Sequence, residues 1–493
     1  MVQDMHDPEF YLRAYGVRGP SGAVRAGCGR YRDVVDCGAD EQLDPALSRG
    51  LEEEEEDCEM EAESEDVDKK FKEEPAAAAG RGSDATAAQG TAAAPPTHGV
   101  PPPDADAMVC LVKIYGDEHR LSLNDMVEFV GVLTLDPTLA AAGDAEDAMD
   151  AAELAAHNPP PSLAPRLHAV AWRKLEHSNP LLEAAVAATA SSPAELAATR
   201  RELVTVLRTA LLGDALAAEL LLCHLLSSVY VRRDVMALGK FALNLARVPA
   251  TGALPERLFA LLERLTEKAL FVPLSLGNMN GMTLVPKKDY KRNVLDTGRL
   301  QLTQNTHLVL DETALSPGQL DERGVQNLAA LGHLITWQKV EYDFGFHKLA
   351  YVADVPVLVL SEGRSLLPSD CRVPLEPTEP ADRLEEQHRA LDQYLTPPLL
   401  QQIRRYLTVA RCLPYAVPER LQATVQQEFV SWRQQAGGQV KAEDLHQLLV
   451  LARLLSLSRG QTELTEEVWQ EARRLDEQRR QRAERLEPAP VAA

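Results

Sequence analysis

The stretch LLGDALAAELLLCHLL, from Leu211 to Leu226, has the rhythm of a phosphate-binding loop that leads into a helix. In such a loop, backbone N–H groups of a glycine-rich turn hold the phosphates, a lysine neutralises their charge and a Ser or Thr hydroxyl binds Mg²⁺. Gly213 and Asp214 supply a turn, but Glu219 stands where the lysine is required and Leu220 stands where the hydroxyl is required.

The charge of Glu219 has the wrong sign for a nucleotide. Two like charges about 4 Å apart cost on the order of 4 kcal/mol at an effective dielectric constant of 20. Leu216 adds a bulky side chain to the turn, and Leu220 cannot bind Mg²⁺. Taken alone, the stretch is an ordinary apolar helix, because one Gly-Asp pair is a weak signal. We therefore predict that it binds no nucleotide.

A second acidic pair, Asp311 and Glu312, ends the apolar run LVLDET. The pair could bind a metal ion, but a helix N-cap or an edge-strand role is at least as compatible with it. Ser361 and Ser365 of the SEGRS turn are nominal nucleophiles, yet no G-x-S-x-G elbow surrounds them, and we interpret them as turn residues.

No catalytic constellation, cofactor site or metal site is predicted. No Cys/His cluster has the spacing of a zinc site. Several histidines are isolated from one another in the sequence, so core or surface positions are expected for them: His224, His307, His333, His347 and His446.

Composition restricts the classes of partner. The chain has 493 residues, 45% of them hydrophobic, and a formal net charge of -23. This balance argues against sequence-independent binding to phosphate backbones, although a local basic patch stays possible. Seven cysteines, an odd number, suit a reducing compartment. No apolar run reaches the roughly 20 residues needed to span a bilayer, and we expect an intracellular protein that does not bind membranes.

The first third of the chain divides into four segments. Residues 1–50 are predicted as a partial β-rich segment, and residues 51–107 as a disordered acidic and Ala/Pro-rich linker. Residues 108–140 have strand-like alternation that favours a small oligonucleotide-binding (OB) barrel, followed by a second linker over 141–165. The barrel lacks exposed aromatics interleaved with Arg or Lys, so direct nucleic-acid binding is not expected.

The remainder is predicted as an α/β core over residues 166–381 and a helical, lid-like region over residues 382–493. Helical spacing is assigned to LHAVAWRKL near the start of the core, and ITWQKVEYDFGFHKLAYV alternates like a hairpin. Thr465 is expected to cap the last helix. The predicted fold class is α/β with a small β barrel.

Six strings of the chain are specific enough to compare with known families: MVQDMHDPEFYLRAYGV, CLVKIYGDEHRLSLNDMVEFVGVLTLDP, RTALLGDALAAELLLCHLLSSVYVRRDVMALGKFALNL, LVLDETALSPGQLDERGVQNLAALGHLITWQKVEYDF, SEGRSLLP and DLHQLLVLARLLSLSRGQT. Together they resemble the minichromosome maintenance complex-binding protein family over nearly all of the predicted ordered length. The family's first domain is expected to extend further towards the N-terminus than Met1 does.

The resemblance implies a degenerate AAA+ core like that of the helicase subunits which the family binds. LLGDALAAEL would occupy the phosphate-loop position, and LVLDET would be the second acidic motif. VLVLSEGRS would be the strand that normally carries an asparagine to the γ-phosphate, and it has none. Glu443 would stand near a basic sensor position, and Arg372 would lie outside the usual arginine-finger context.

The function that the resemblance implies is a non-enzymatic partner of the minichromosome maintenance helicase. Such a nuclear protein would unload the helicase from chromatin, support DNA replication and sister-chromatid cohesion, and contact chromatin only indirectly. Two alternatives stay open. One is an AAA+-type ATPase that uses a displaced lysine such as Lys240, and the other is a single-strand-binding protein that acts through the barrel.

Overall fold

The three-dimensional structure is a computed structural model. The linkers predicted over 51–107 and 141–165 lie outside the described residues, apart from Pro165. The described residues are 1–5, 13–28, 30–32, 42–49, 110–115, 121–134, 165–175, 193–233, 236–249, 253–290, 294–435 and 441–486.

The strands are numbered in chain order. They are β1 Ala14–Arg18, β2 Val24–Gly27, β3 Gln42–Arg49, β4 Leu111–Lys113, β5 Met126–Thr134, β6 Arg166–Leu175, β7 Val231–Arg233, β8 Met236–Leu238, β9 Leu243–Ala246, β10 Ala269–Pro273, β11 Lys287–Asp289, β12 Val294–Asp296, β13 His307–Asp311, β14 Lys339–Asp343, β15 Lys348–Val352, β16 Val357–Leu360 and β17 Cys371–Pro374.

The helices fall into an earlier set that flanks the strands and a later set that follows them. They are α1 Pro193–Ala210, α2 Ala215–Leu226, α3 Leu254–Leu265, α4 Leu276–Gly281, α5 Glu322–Trp337, α6 Leu384–Tyr394, α7 Pro397–Cys412, α8 Glu419–Gln435, α9 Ala442–Ser458 and α10 Glu466–Leu486.

A five-stranded parallel sheet lies at the centre, in the order β10-β13-β16-β9-β17. Successive side chains of its strands pack on opposite faces, as the pleat requires. Leu308 and Leu310 of β13 belong to the core that includes Leu331 of α5. Val309 belongs to the core on the other face, which includes α1, α2 and α3. Both faces are therefore covered, which is the usual state of a parallel sheet.

The C-terminal helices share the core of the second face. Ile403 of α7, Leu451 of α9 and Trp469 of α10 are buried in the same cluster as Leu243 of β9. The predicted cap of the last helix is confirmed, since the N–H of Val468 donates to Thr465 Oγ1 at 3.3 Å. The helical region predicted from residue 382 is thus packed directly on the sheet.

The predicted α/β class is confirmed, but the small barrel is not. Within the described residues, strands β4 and β5 of the predicted barrel region form an open three-stranded sheet with β6, in the order β4-β6-β5. The helix predicted over LHAVAWRKL was also wrong, because those residues form β6. Strand β6 pairs antiparallel with β5 from Met126↔Leu175 to Thr134↔Arg166. Pairing along that whole length overrode the local apolar spacing.

The predicted hairpin is confirmed in its second half. Strands β14 and β15 pair antiparallel from Lys339↔Val352 to Asp343↔Lys348, while Ile335–Trp337 still belong to α5. They join β11 and β12 in a four-stranded sheet of order β12-β11-β14-β15. This sheet is built from segments that connect the central strands.

One property of the helices bears on membrane association. Among the described residues, no single helix is long and apolar enough to cross a bilayer. The consecutive helical segments Ala194–Ala210 and Ala215–Leu226 are together long and apolar enough to cross a bilayer, but they are bent by 119° relative to each other.

Candidate functional site

The strand order defines where a ligand would bind in this sheet. From β9 the chain passes through α3 to the far edge strand β10, whereas from β16 it passes to β17 on the other side of β9. Two neighbouring strands whose connections leave in opposite directions open a crevice at their carboxyl ends, and open α/β sheets bind ligands there. The candidate site therefore lies where β9 and β16 end.

Backbone hydrogen bonds close this crevice. The N–H of Arg247 donates to the carbonyl of Glu362 at 3.2 Å, and the N–H of Val248 donates to the carbonyl of Ser361 at 3.0 Å. Arg247 is held at φ +60°, an uncommon conformation for a residue other than glycine. The first two N–H groups after β9 thus bond the neighbouring loop and cannot also hold a phosphate.

Side chains reinforce the closure. Asn244 of β9, fully buried, donates through Nδ2 to Ser361 Oγ at 3.0 Å and to the carbonyl of Val359 at 3.2 Å. The Ser361 hydroxyl in turn donates to the carbonyl of Gly363 at 3.1 Å. Ser361, which is 2% exposed, is therefore a turn residue that links β9 to the end of β16.

The segment between β9 and α3 has the strand–loop–helix order that a phosphate loop needs. Residues 247–254 read RVPATGAL and contain no lysine. Helix α3 begins without a side-chain cap, and Pro255 in its first turn has no N–H. The sequence reasoning missed this segment. The signal that could have found it is the short apolar strand LNLA before the loop and the amphipathic LPERLFALLERL after it.

The predicted phosphate-loop position LLGDALAAEL was wrong. A phosphate loop follows a strand, but Leu211–Gly213 is a turn between the helices α1 and α2. The carbonyl of Leu212 accepts from the N–H groups of Thr378 and Glu379, both at 3.0 Å. Gly213 has φ +88°, and a Cβ there would collide with the side chain of Thr378. Gly213 is thus required by a close approach of two chain segments.

Asp214 is the N-cap of α2 and the centre of a buried ion pair. Its Oδ1 accepts from the N–H of Ala217 at 3.1 Å, and its Oδ2 accepts from the N–H of Glu376 at 2.9 Å. Arg482 Nη1 lies 2.9 Å from Oδ1 and 2.7 Å from Oδ2. The side chain of Asp214 is fully buried. Asp214 therefore ties α2 to α10 and to the end of β17.

Glu219 and Leu220 also have packing roles. Arg200 of α1 donates through Nη2 to Glu219 Oε2 at 2.6 Å and through Nε to Ser458 Oγ at 3.1 Å. Leu220 is fully buried and Leu216 nearly so. Glu219, whose negative charge argued against nucleotide binding, thus joins α2 through Arg200 to α1 and to the end of α9.

Asp311 and Glu312 lie at the carboxyl end of β13, on the same edge of the sheet as Ser361. Asp311 Oδ1 accepts from both the N–H and the hydroxyl of Thr313, at 3.0 and 2.6 Å. Glu312 Oε1 accepts from the Ser365 hydroxyl at 2.9 Å and from the N–H of Leu366 at 3.2 Å. Burial raises the pKa of both carboxyl groups. Each acid stabilises a turn.

The structure brings some predicted residues together and separates others. Glu312 and Ser365 are in contact. Asp214 instead lies at the end of β17, three strand positions from β13, which corresponds to roughly 14 Å at the usual strand spacing. LLGDALAAEL and LVLDET, which the resemblance placed in one degenerate nucleotide site, therefore lie apart.

Lys240, the displaced lysine of the ATPase alternative, lies at the wrong end of the sheet. It precedes the first residue of β9, whereas the crevice is at that strand's last residue. Its ammonium group forms an ion pair with Asp370, and neither side chain is more than 18% exposed. Lys240 thus holds the amino end of β17 next to β9 and cannot reach the carboxyl edge.

Helix α10 covers the carboxyl side of the edge strand. Arg479 donates to the carbonyl of Arg372 at 3.2 Å, and Arg482 donates to that of Pro374 at 3.4 Å. At the end of the helix, Arg247 donates to the carbonyl of Leu486 at 3.4 Å, where the helix dipole favours a cation. Arg372, which the resemblance placed outside the usual arginine-finger context, is thus an edge-strand residue beneath α10.

A buried basic cluster joins the helical region to the sheet. His224 of α2 donates through Nδ1 to the carbonyl of Phe241 at 2.9 Å, and its ring lies 5.8 Å from that of His307 of β13. Arg411 of α7 lies 3.3 Å from His307 Nε2 and donates to the carbonyl of Ser227. Burial lowers the pKa of His224 to about 4, and burial beside Arg411 lowers that of His307 well below its usual range.

Comparisons with known proteins give matches along nearly the whole chain. The sequence profile of the family described as "Mini-chromosome maintenance replisome factor" matches residues 1–49 and 44–483. Proteins called mini-chromosome maintenance complex-binding protein are similar along nearly the whole chain. The Salmo salar protein is 39% identical, over 98% of this chain and 87% of its own length. The Homo sapiens protein is 36% identical, over 98% and 87%. The Drosophila melanogaster protein is 37% identical, over 99% and 89%.

The family profile covers most of the chain, and the relatives are more than 30% identical to it in sequence. A shared parallel sheet alone would not produce this degree of sequence similarity. The resemblance noted in the sequence is therefore confirmed. This chain belongs to the minichromosome maintenance complex-binding protein family.

Proposed function

We propose that this chain is a non-enzymatic binding partner of the minichromosome maintenance helicase. The names of its relatives describe proteins that bind this complex. Membership of the same family supports the same partner here. We further propose that the parallel sheet with its packed helices is a degenerate AAA+ body, which would offer the helicase a surface like that of one of its own subunits.

The closed crevice is the observation that carries the non-enzymatic part of the proposal. The N–H groups of Arg247 and Val248 donate to backbone carbonyls of the neighbouring loop. Phosphate binding in such sheets depends on free N–H groups at this point. The acids at the end of the next strand, Asp311 and Glu312, accept hydrogen bonds within their own turns. A protein built in this way acts through its surface.

The cellular role we propose is unloading of the helicase from chromatin, in support of DNA replication and sister-chromatid cohesion. A subunit-like body could compete with a neighbour in the helicase ring and so open it. The protein would act in the nucleus and contact chromatin through the helicase. Its formal net charge of -23 favours binding to a DNA-bound machine over binding to DNA itself.

Two measurements on the purified full-length chain test binding and catalysis. Biolayer interferometry against each purified helicase subunit should detect at least one saturable interaction. An ATPase assay on the same preparation should detect no ATP hydrolysis that depends on Asp311. The parent and Asp311→Asn should therefore give the same background rate. Absence of binding to every subunit would overturn the proposed partner, and turnover that depends on Asp311 would overturn the non-enzymatic assignment.

A chromatin experiment tests the unloading role. Helicase-loaded chromatin is isolated and incubated with the purified chain, and the helicase that remains bound is quantified. The chain should release helicase in proportion to its concentration, and bovine serum albumin should not. Unchanged retention, with a chain that binds the subunits in solution, would contradict unloading but leave the partner assignment intact.

A further inference from the structure

Two exposed aromatic side chains meet at the tips of the two hairpins of the four-stranded sheet. Phe346, in the turn between β14 and β15, is 93% exposed, and Tyr290, directly after β11, is 55% exposed. Their ring centroids are 5.9 Å apart. We call Tyr290 and Phe346 the aromatic tip. Leu349, 45% exposed, follows it on β15.

The turn that carries Phe346 is held by defined hydrogen bonds. The N–H of Phe344 donates to the carbonyl of His347 at 3.0 Å, and the N–H of Gly345 donates to Asp343 Oδ1 at 2.8 Å. Gly345 has φ +72°, a conformation that glycine adopts without strain. The Tyr290 hydroxyl donates to the carbonyl of Phe344 at 2.8 Å and so joins the two hairpins. The backbone that carries Phe346 is therefore held by hydrogen bonds, and Tyr290 is tied to it.

An exposed aromatic side chain on a hydrogen-bonded turn is a typical anchor for a protein partner. Single exposed apolar side chains are common, but an adjacent pair of exposed aromatics on a pre-organised turn is not. Large rigid aromatics dominate binding energy because they bury much area and lose little conformational entropy. The aromatic tip thus has the properties of an interface hot spot.

The charges beside the tip indicate the kind of pocket it fits. Lys287 and Lys348 both lie opposite Asp343 in the strand registers, and both lysines are exposed. Lys287 Nζ is 3.7 Å from Asp343 Oδ2. An apolar anchor flanked by lysines complements an apolar pocket with an acidic rim. Nucleic acid fits less well, because Asp289 and Asp343 interrupt the basic surface that a phosphate backbone needs.

We propose that the aromatic tip docks into an apolar pocket with an acidic rim on a subunit of the minichromosome maintenance complex. This inference rests on the proposed function, since that function supplies the partner. Phe346 is the anchor and Tyr290 supports it, while Lys287 and Lys348 face the acidic rim. The β11–β12 and β14–β15 hairpins are then the part of the molecule that contacts the partner.

The test compares two variants that each shorten one exposed apolar side chain. Phe346→Ala removes the anchor, and Val430→Ala, at a 53% exposed position on α8, is the matched control. Binding of full-length chains to each purified subunit is measured by biolayer interferometry. Phe346→Ala should weaken binding to at least one subunit tenfold or more, and Val430→Ala should change it less than twofold. Both variants should keep the thermal unfolding midpoint of the parent.

The remaining outcomes separate this inference from the proposed function. If the parent binds subunits and Phe346→Ala binds them equally well, the docking site is elsewhere and only this inference falls. If the parent binds no subunit, both fall. Fluorescently labelled oligothymidylate is tested in parallel. Loss of oligonucleotide binding in Phe346→Ala, with subunit binding retained, would make the tip a nucleic-acid surface and overturn the inference.

Discussion

Arg482 of α10 and Asp214, the N-cap of α2, form an ion pair that joins these two helices. Arg482 Nη1 lies 2.9 and 2.7 Å from the two carboxylate oxygens of Asp214, although the residues are 268 positions apart. Asp214 is fully buried and Arg482 is 14% exposed at its side chain. The last helix is thereby attached to the N-terminus of α2, where a carboxylate also complements the helix dipole.

Asp214→Ala should lower the free energy of unfolding by about 3–5 kcal/mol, because it leaves Arg482 without its partner in a site with little water. It also removes the cap of α2. Denaturant unfolding followed by circular dichroism measures the change. Arg485→Ala is the control, since Arg485 is 61% exposed and pairs with Glu376, and a loss of less than about 1 kcal/mol is expected there. Equal losses in the two variants would contradict the special position of Asp214.

Gly213→Ala should destabilise the chain by roughly 1–3 kcal/mol. The φ of +88° is unfavourable for alanine, and its Cβ would collide with Thr378. Gly363→Ala provides the comparison, because a Cβ at Gly363 meets open space and its φ is ordinary. Thermal unfolding of both variants tests this, and a Gly213→Ala midpoint equal to that of Gly363→Ala would show that the turn can relax.

The chain should lose stability on acidification through the window from pH 6.5 to about 4. His224 is neutral when folded because burial lowers its pKa to about 4. Below pH 6.5 the unfolded chain takes up the proton that the folded chain refuses, so the free energy of unfolding falls with decreasing pH by about 1.4 kcal/mol per pH unit for such a group. The raised pKa values of Asp311 and Glu312 act in the opposite direction.

A variant isolates the histidine contribution from that of the carboxyl groups. His224→Gln keeps an N–H that can donate to the carbonyl of Phe241, but it does not titrate. The pH dependence of its unfolding free energy should be flatter than that of the parent over the same window. His347→Gln, at an exposed position, should follow the parent. Parallel curves for His224→Gln and the parent would remove His224 as the cause.

ATP should not stabilise the chain. A nucleotide that bound the folded state at 100 times its dissociation constant would raise the free energy of unfolding by about 2.7 kcal/mol. The hydrogen-bonded N–H groups of Arg247 and Val248 lead us to expect no shift of the thermal midpoint at millimolar Mg-ATP. A reproducible shift that Mg-AMP does not produce would show that the crevice opens.

Glu219→Lys, which would restore the charge of a phosphate-loop lysine at the position first suggested by the sequence, should produce no ATP hydrolysis. The new lysine would face Arg200, whose Nη2 is 2.6 Å from Glu219 Oε2 in the parent. Repulsion there should cost roughly 1–3 kcal/mol of stability. Malachite-green detection of phosphate and denaturant unfolding test the two parts, and hydrolysis without loss of stability would contradict both.

The local sequence pattern was sufficient to predict several strands and helices. The run Leu308–Asp311 became β13 because a continuous apolar stretch suits a strand buried on both faces. Strands β14 and β15 followed from alternation, and the helices after Leu384 from amphipathic spacing and from the Thr465 cap. In each case the information lies within a few neighbouring residues.

The strand–loop–helix segment between β9 and α3 could not be found in this way. LLGDALAAEL has the local composition of a phosphate loop, but that composition does not show whether a strand or a helix precedes it. The strand that does precede the crevice, Leu243–Ala246, is only four residues long, too short for periodicity to distinguish it from a helix. The β6 strand was missed for a related reason, since its state depends on pairing with β5.

The sequence by itself determined the family and the α/β class, because these depend on residue identity and local spacing. Only the tertiary structure decided that Ser361 and Asn244 close the crevice and that Arg482 pairs with Asp214. Such contacts join residues more than a hundred positions apart. They depend on strand order and helix packing, which no short stretch of sequence contains.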